Sequence, residues 1–294
     1  MTPGVIVVTG ATGFTGPFVV KALRGRFPDA TLRCFVRPAS RLDALRALPV
    51  EFATGDLRNA DSMRTALRGA DTFVHVASLG FDWLEPLFAA IAASSLLRGV
   101  FISTTAILTK LPVRSKAIRE QGEALVRASG LRWTILRPTM IYGTPADRNV
   151  ARLIRFAQRW PVIPIIAPGA RQQPVHVEDV ATAVAAALAS PATIARTYNL
   201  AGREPMTLED MVRAVTRAAG VRRLIVPLPS APVRAAVSLY ARLSAHPPVS
   251  VEQVDRLHED KSFDYADAAR DFQFAPRSFA CGVRAEVAMM QATR

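Results

Sequence analysis

Cysteine is scarce in this 294-residue chain, which has only Cys34 and Cys281. One pair could close a single bridge, but a disulfide framework or a zinc centre needs more ligands at shorter spacing. Histidine is nearly as rare. The four histidines are isolated from acidic or cysteine partners at ligand spacing, so no metal site is expected. Long apolar runs are also missing. The longest stretch, residues 180–189, is about half a membrane span and rich in alanine. The first residues enter an apolar strand without a basic leader or cleavage-like site. These absences predict a soluble, cytoplasmic protein with no membrane span. Lysine is limited to four residues, so the net charge of +13 is carried almost wholly by arginine. The arginines are spread over the chain and no basic run is interleaved with aromatics, which argues against nucleic acid as a partner.

What is present points to a packed core rather than disorder. Half of the residues are hydrophobic and 21% are charged, the balance of a chain with a real core. Strand and helix signals alternate from the start. Runs at 5–9, 31–36, 50–54, 72–77, 100–104 and 133–136 read as strands, the first of them apolar, β-branched and suited to burial on both faces. Between them, helical patterns fall at 17–23, 42–48, 61–67, 83–97 and 116–128. This rhythm predicts an α/β fold of Rossmann type, a doubly wound parallel sheet with helices on both faces. After Arg137 proline becomes frequent and the rhythm loosens, with helices expected at 177–189, 208–219 and 250–257. The expected organisation is a nucleotide-binding domain over 1–140 and a small C-terminal α/β substrate lobe over 141–294. The 175–200 segment is expected to return to the first domain.

The first strand runs into Thr9–Gly16, TGATGFTG. Glycines at 10, 13 and 16 suit a turn that brings backbone N–H groups and a helix N-terminus onto a pyrophosphate. Gly10 permits the turn, Gly13 clears the phosphate face, and Gly16 lets helix pack on strand. Pro17 then opens the helix. Arg37 stands just after the second strand, where an adenosine ribose would lie. A cation there favours a 2′-phosphate and an acidic residue would favour NAD, so with Arg41 nearby NADP is the expected cofactor and NAD the alternative. Both arginines could equally be solvated surface groups. Asp56 could accept from the adenine amino group or could serve as a turn or N-cap residue. His75 and His176 sit in apolar segments and are expected to be core histidines.

Taken in order, TGATGFTG, the GDL at Gly55, HVAS at His75, ISTTA at Ile102, LRWTILRP at Leu131, QPVHVEDVA at Gln173 and TYNLAG at Thr197 resemble the short-chain dehydrogenase/reductase superfamily. FDYADAARDFQFAP at Phe263 is similar to its C-terminal signature. The resemblance covers nearly the whole chain and is strongest to the extended and atypical branches, with the complex I 39 kDa subunit and NmrA-like proteins. It implies cofactor contacts from Gly10, Thr12, Gly13, Phe14, Thr15, Gly16, Arg37, Asp56, Leu57, Ala77, Lys116 and Pro138. Family enzymes use Tyr-x-x-x-Lys with a Ser or Thr. The tyrosine exchanges a proton with substrate, and the lysine lowers its pKa and holds the nicotinamide ribose. Thr105 matches the hydroxyl and Lys116 the lysine, but Pro112 stands where the tyrosine belongs and has no side-chain proton to exchange. Lys116 shares a helical face with Glu120 and Glu123, so it either reaches the ribose or pairs with Glu120. Tyr142 is the remaining candidate proton donor, with packing as its alternative role.

In nucleotide-sugar epimerases of the superfamily an arginine clamps a diphosphate. The matching position here is Gln172, with Arg171 one residue away, so a nucleotide-sugar substrate is disfavoured. The resemblance implies an NADP(H)-dependent oxidoreductase acting on a small apolar substrate. The competing readings are a non-catalytic NADP(H)-binding sensor or assembly protein and a nucleotide-sugar epimerase or dehydratase. A monomer or a homodimer is expected.

Overall fold

The structure is a computed structural model that describes residues 3–111, 113–243 and 256–292. Pro112 and most of the helix expected at 250–257 lie outside these residues. The chain forms two compact units. The first comprises Met1–Thr139, Val177–Leu200 and Asp264–Ala275, and the second comprises Met140–His176, Ala201–Phe263 and Pro276–Arg294.

The first unit is built on a seven-stranded, wholly parallel sheet. Its strands are β1 (Val5–Thr9), β2 (Thr31–Val36), β3 (Glu51–Thr54), β4 (Thr72–His75), β5 (Arg98–Ile102), β6 (Arg132–Pro138) and the strand Arg196–Leu200. The spatial order places that last strand at one edge, followed by β6, β5, β4, β1, β2 and β3. Ile6, Val7 and Val8 of β1 are all fully buried although they alternate between faces, so both faces are covered. On one face α3 (Ala60–Leu67), α4 (Glu85–Ala92) and α5 (Arg114–Ala128) contribute Met63, Leu87 and Val126 to a layer with Val7, Phe73 and Phe101. Elsewhere α1 (Gly16–Arg26) packs along the helix Val177–Ala189, which in turn rests on β5 and β6. The doubly wound α/β expectation is met.

Several elements differ from their sequence patterns. The helix expected at 83–97 is limited to Glu85–Ala92. Pro86 opens it, and the Ser94 hydroxyl turns back onto the Ile91 carbonyl at 2.6 Å beyond its end. The helix expected at 42–48 shrinks to one turn, α2 (Asp43–Arg46). The edge strand Arg196–Leu200, which pairs in parallel with β6, has no apolar run to announce it.

The second unit has its own apolar core. Val150, Ala151, Ile154 and Ala157 of the helix Val150–Arg159 meet Met211, Val212 and Val215 of the helix Leu208–Ala218 and Val283 and Val287 of the helix Phe279–Ala292. Glu286 is fully buried in this unit, beside Asp147. Burial, then the hydrogen bond and negative charge of Asp147, push its carboxyl up to about 10. A carboxyl that stays neutral when folded but ionises when unfolded favours the folded state less as pH rises from the unfolded value toward 10. Glu286→Gln should therefore stabilise the protein more at pH 8 than at pH 4. Urea midpoints at the two pH values check this, and an equal shift at both would show that Glu286 is not neutral in the folded chain.

Candidate active site

The site is assembled at the carboxyl ends of the parallel strands, where the order reverses between β1 and β4. That reversal is where open α/β sheets bind ligands. β1 ends at Thr9, and Gly10 takes φ +73°. A Cβ on Gly10 would stand 2.5 Å from the backbone nitrogen of Ala77, in the loop after β4. One on Gly16 would stand 2.3 Å from the carbonyl oxygens of both Gly10 and Ala11. These two positions accept only glycine, because backbone occupies the side-chain space. The loop is held by Gly13 N–H donating to Gly10 at 3.0 Å and Gly16 N–H donating to Gly13 at 3.2 Å. Thr15 is the N-cap of α1 and its hydroxyl caps no N–H group. The first-turn donors are thus left without a side-chain cap, beside an exposed Gly13. These residues fit a dinucleotide pyrophosphate.

The expected ribose region adjoins this loop. The Thr12 hydroxyl donates to Ser40 Oγ at 3.4 Å, and Ser40 N–H closes a turn onto the Arg37 carbonyl at 2.9 Å. Arg37 and Arg41 are exposed, and among the described residues neither guanidinium has a hydrogen-bond or ion-pair partner. Asp56 follows β3 and its carboxylate accepts from Arg58 N–H at 2.9 Å, so one of its oxygens serves a turn. Phe14 is half-buried, and Leu57 packs against the core layer. His75 is a core histidine: Thr9 Oγ1 and His75 Nδ1 share a hydrogen bond of 2.7 Å inside the sheet. Burial lowers the imidazole to about 4, so it is neutral at physiological pH.

On the other side of the switch point, β5 leads into a short 3₁₀ turn, Thr105–Leu108, capped by the Thr104 hydroxyl on Ala106 N–H at 3.2 Å. Thr105 is buried, and among the described residues its hydroxyl makes only a long contact of 3.4 Å with the carbonyl of Pro138, which ends β6. Lys116 lies in the first turn of α5, half-buried, and its ammonium donates to the Thr109 carbonyl at 3.0 Å. Among the described residues no ion pair joins it to Glu120. Pro112, expected in the tyrosine position, lies outside the described residues. Lys116 borders a cleft of about 310 Å³ that also meets Ile107, Leu108 and Glu123.

Glu123 carries more structure than its spacing from Lys116 suggested. It is fully buried. Arg137 binds it through two nitrogens, at 2.7 and 2.6 Å, while Ser103 Oγ donates at 2.8 Å and Arg127 at 2.7 Å. The carboxylate thereby ties α5 to the end of β5 and to β6. Burial alone would raise its pKa, but the hydrogen bonds from Arg137 and Ser103 and the Arg137 charge hold it below the usual glutamate range. The signal available in the sequence was a carboxylate between Gly122 and Val126 on the buried stripe of α5.

Tyr142 is the remaining candidate proton donor, with packing as its alternative role. It belongs to the second unit and is fully buried there, its ring edge-on to His176 at 5.3 Å and against Phe279 at 5.0 Å. A Cβ on Gly282 would stand 2.1 Å from its hydroxyl. These neighbours are those of a packing side chain. His176 is likewise buried. Gln172 is buried, and Gln173 bridges the Gly202 carbonyl and Phe263 N–H at 2.8 Å each, so this segment is structural.

Residues 10–191 match the NAD(P)H-binding family. The chain belongs to that family. Among its relatives is a ceramide reductase from Caulobacter vibrioides, 31% identical over 77% of this chain and 74% of that protein. Subunit 9 of the NADH dehydrogenase (ubiquinone) 1 alpha subcomplex of Dictyostelium discoideum is 26% identical over 87% of this chain and 76% of that one. The solved structure of gox2253 superposes with a TM-score of 0.81 at 26% identity, covering 98% of both chains. This member of the NAD(P)H-binding family has the Rossmann-like fold of the short-chain dehydrogenases and reductases, with reductases among its relatives. Among the described residues no helix is long and apolar enough to cross a membrane.

Proposed function

We propose that this protein is an NADPH-dependent reductase of a carbonyl on an apolar substrate. The observation that carries the reading is the state of Lys116. Its ammonium is steered by the Thr109 carbonyl and is not neutralised by Glu120, so it remains available to the hydroxyls of a nicotinamide ribose. The relationship to a ceramide reductase supports the same reading. The bound nicotinamide would supply the hydride. Thr105 would exchange its weak bond to Pro138 for one donated to the substrate oxygen, polarising the carbonyl. With proline in the tyrosine position and Tyr142 enclosed, the proton that completes the alcohol is assigned to water.

Turnover decides between this reading and that of a non-catalytic NADPH-binding assembly protein, which the complex I relative and the missing tyrosine favour. The expected result is NADPH oxidation with long-chain ketones or enones. Lys116→Ala should lower kcat/KM by about 100-fold, the scale set by losing one positioned donor. Tight NADPH binding without turnover across such a panel would support the assembly role.

Arg37 is proposed to pair with the 2′-phosphate, since its guanidinium has no partner among the described residues and the Thr12–Ser40 contact holds its turn against the phosphate loop. Arg37→Ala should weaken NADPH by about 1.5–3 kcal/mol and leave NADH nearly unchanged, because the charge-assisted contact exists only with the phosphorylated ribose. Equal losses for the two nucleotides, measured by calorimetry, would make Arg37 a structural residue.

A further inference from the structure

The second unit carries a surface that nucleotide chemistry does not use. In the two-stranded parallel sheet of Val162–Ile166 and Leu224–Leu228, Ile163 and Ile165 are buried, so the period of two turns Val162, Pro164 and Ile166 outward. The register pairs these three with Leu224, Val226 and Leu228, and residues paired in register share a face. Every position on that outward face is apolar. Leu224 is 63% exposed and Val162 42% exposed. A sheet face that meets water ordinarily alternates to polar residues.

A basic and aromatic stripe adjoins it. The helix Val150–Arg159 buries Val150, Ala151, Ile154 and Ala157 and exposes Arg152, Arg155, Phe156 and Arg159, which share one helical face. Trp160 follows directly and is 50% exposed. The Arg159 guanidinium lies 5.6 Å from its ring centroid, and the Phe156 ring lies 6.4 Å away. Arg223, next to Leu224, donates to the carbonyls of Ala157 and Gln158, which ties the end of the helix to the start of the sheet. Arg159 and Trp160 at the end of the helix thus adjoin Val162 and Leu224 at the start of the sheet.

We propose that this patch docks the protein on an anionic lipid bilayer. The aliphatic sheet face and the Phe156 and Trp160 rings would enter the headgroup boundary, and Arg152, Arg155 and Arg159 would meet lipid phosphates. Charge complementarity selects this occupant, since no carboxylate lies among the outward positions of helix or sheet. A two-fold contact with a second copy would set arginine stripe against arginine stripe. A nucleic acid would use the arginines and leave the aliphatic face without a partner. The inference stands independently of the proposed reaction.

Sedimentation of the full chain with vesicles tests it, using phosphatidylcholine alone and phosphatidylcholine mixed with phosphatidylglycerol. The expected result is binding to the mixed vesicles that salt weakens. Intrinsic tryptophan emission should shift to the blue on binding, and that shift should be lost in Trp160→Phe. Trp160→Glu with Leu224→Glu should abolish binding. Arg152→Gln with Arg159→Gln should lower partitioning by roughly fivefold for each arginine replaced. Retained NADPH binding reports that each variant is folded and keeps this test separate from that of the nucleotide site. If the double glutamate variant misfolds, the Trp160→Phe and arginine variants carry the same comparison. The proposal is overturned by failure to sediment with mixed vesicles or by binding that none of the variants weakens. It is also overturned by a dimer that these changes split, or by an oligonucleotide bound through the arginines, where vesicles do not bind.

Discussion

Glu123→Ala should lower the unfolding free energy of the protein by about 3 kcal/mol at neutral pH, the low end of the cost of breaking a buried ion pair. The change removes the acceptor of Arg137, Ser103 and Arg127 together and leaves the Arg137 guanidinium, mostly buried, without its counter-charge. The low end applies because Arg127 is well exposed and can turn to water. Glu123→Gln should lose nearly as much, since it restores volume but no charge. The pH dependence has a definite sign. A carboxylate whose folded pKa is held below its ordinary value of 4.5 contributes stability that is fully present above that value and is lost as pH falls through the folded pKa. The gap between native and variant in urea unfolding should be widest near neutrality and close in acid. Unchanged stability at neutral pH would mean that the hub is too well hydrated to matter. If the proposed reductase reading holds, the same variants should also lose turnover, because Ser103 and α5 carry Thr105 and Lys116.

Gly13→Val should cost nucleotide binding on the order of 100-fold, with the fold intact. Two or three backbone and charge-assisted hydrogen bonds to a pyrophosphate are lost together, each worth about 1 kcal/mol or more. The variant can fold because Gly13 is exposed and, unlike Gly10, is not in the left-handed region. A Cβ there would stand 3.2 Å from the Gly10 carbonyl, a contact that a shift of a few tenths of an ångström relieves. The branched side chain would fill the anion's place at the N-terminus of α1. Gly16→Ala is the contrasting variant. Its Cβ would meet two backbone carbonyls at 2.3 Å, so it should damage stability as well as binding. Calorimetric NADPH titration with a thermal melt separates the two. Native-like affinity in folded Gly13→Val would remove the phosphate loop from this stretch.

The sequence by itself determined the strands β1 to β6, the loop from Thr9 to Gly16 and the opening of α1 at Pro17. Each is written in a short window: a β-branched apolar run, a glycine where backbone must approach backbone, a proline at a first turn. The family, and with it NAD(P)H binding, was legible for the same reason. What only the tertiary structure decided rests on contacts between distant segments. Glu123 looked like a helix-face neighbour of Lys116 until β6 brought Arg137 and β5 brought Ser103 to it. Tyr142, next to a strand expected to reach the nicotinamide, is enclosed by Phe279 and Gly282 from the far end of the chain. The edge strand Arg196–Leu200 takes its place through backbone pairing with β6, which its polar composition does not announce. Periodicity records which face of an element is buried. It does not record which distant element buries it, and that is set by long-range pairing alone.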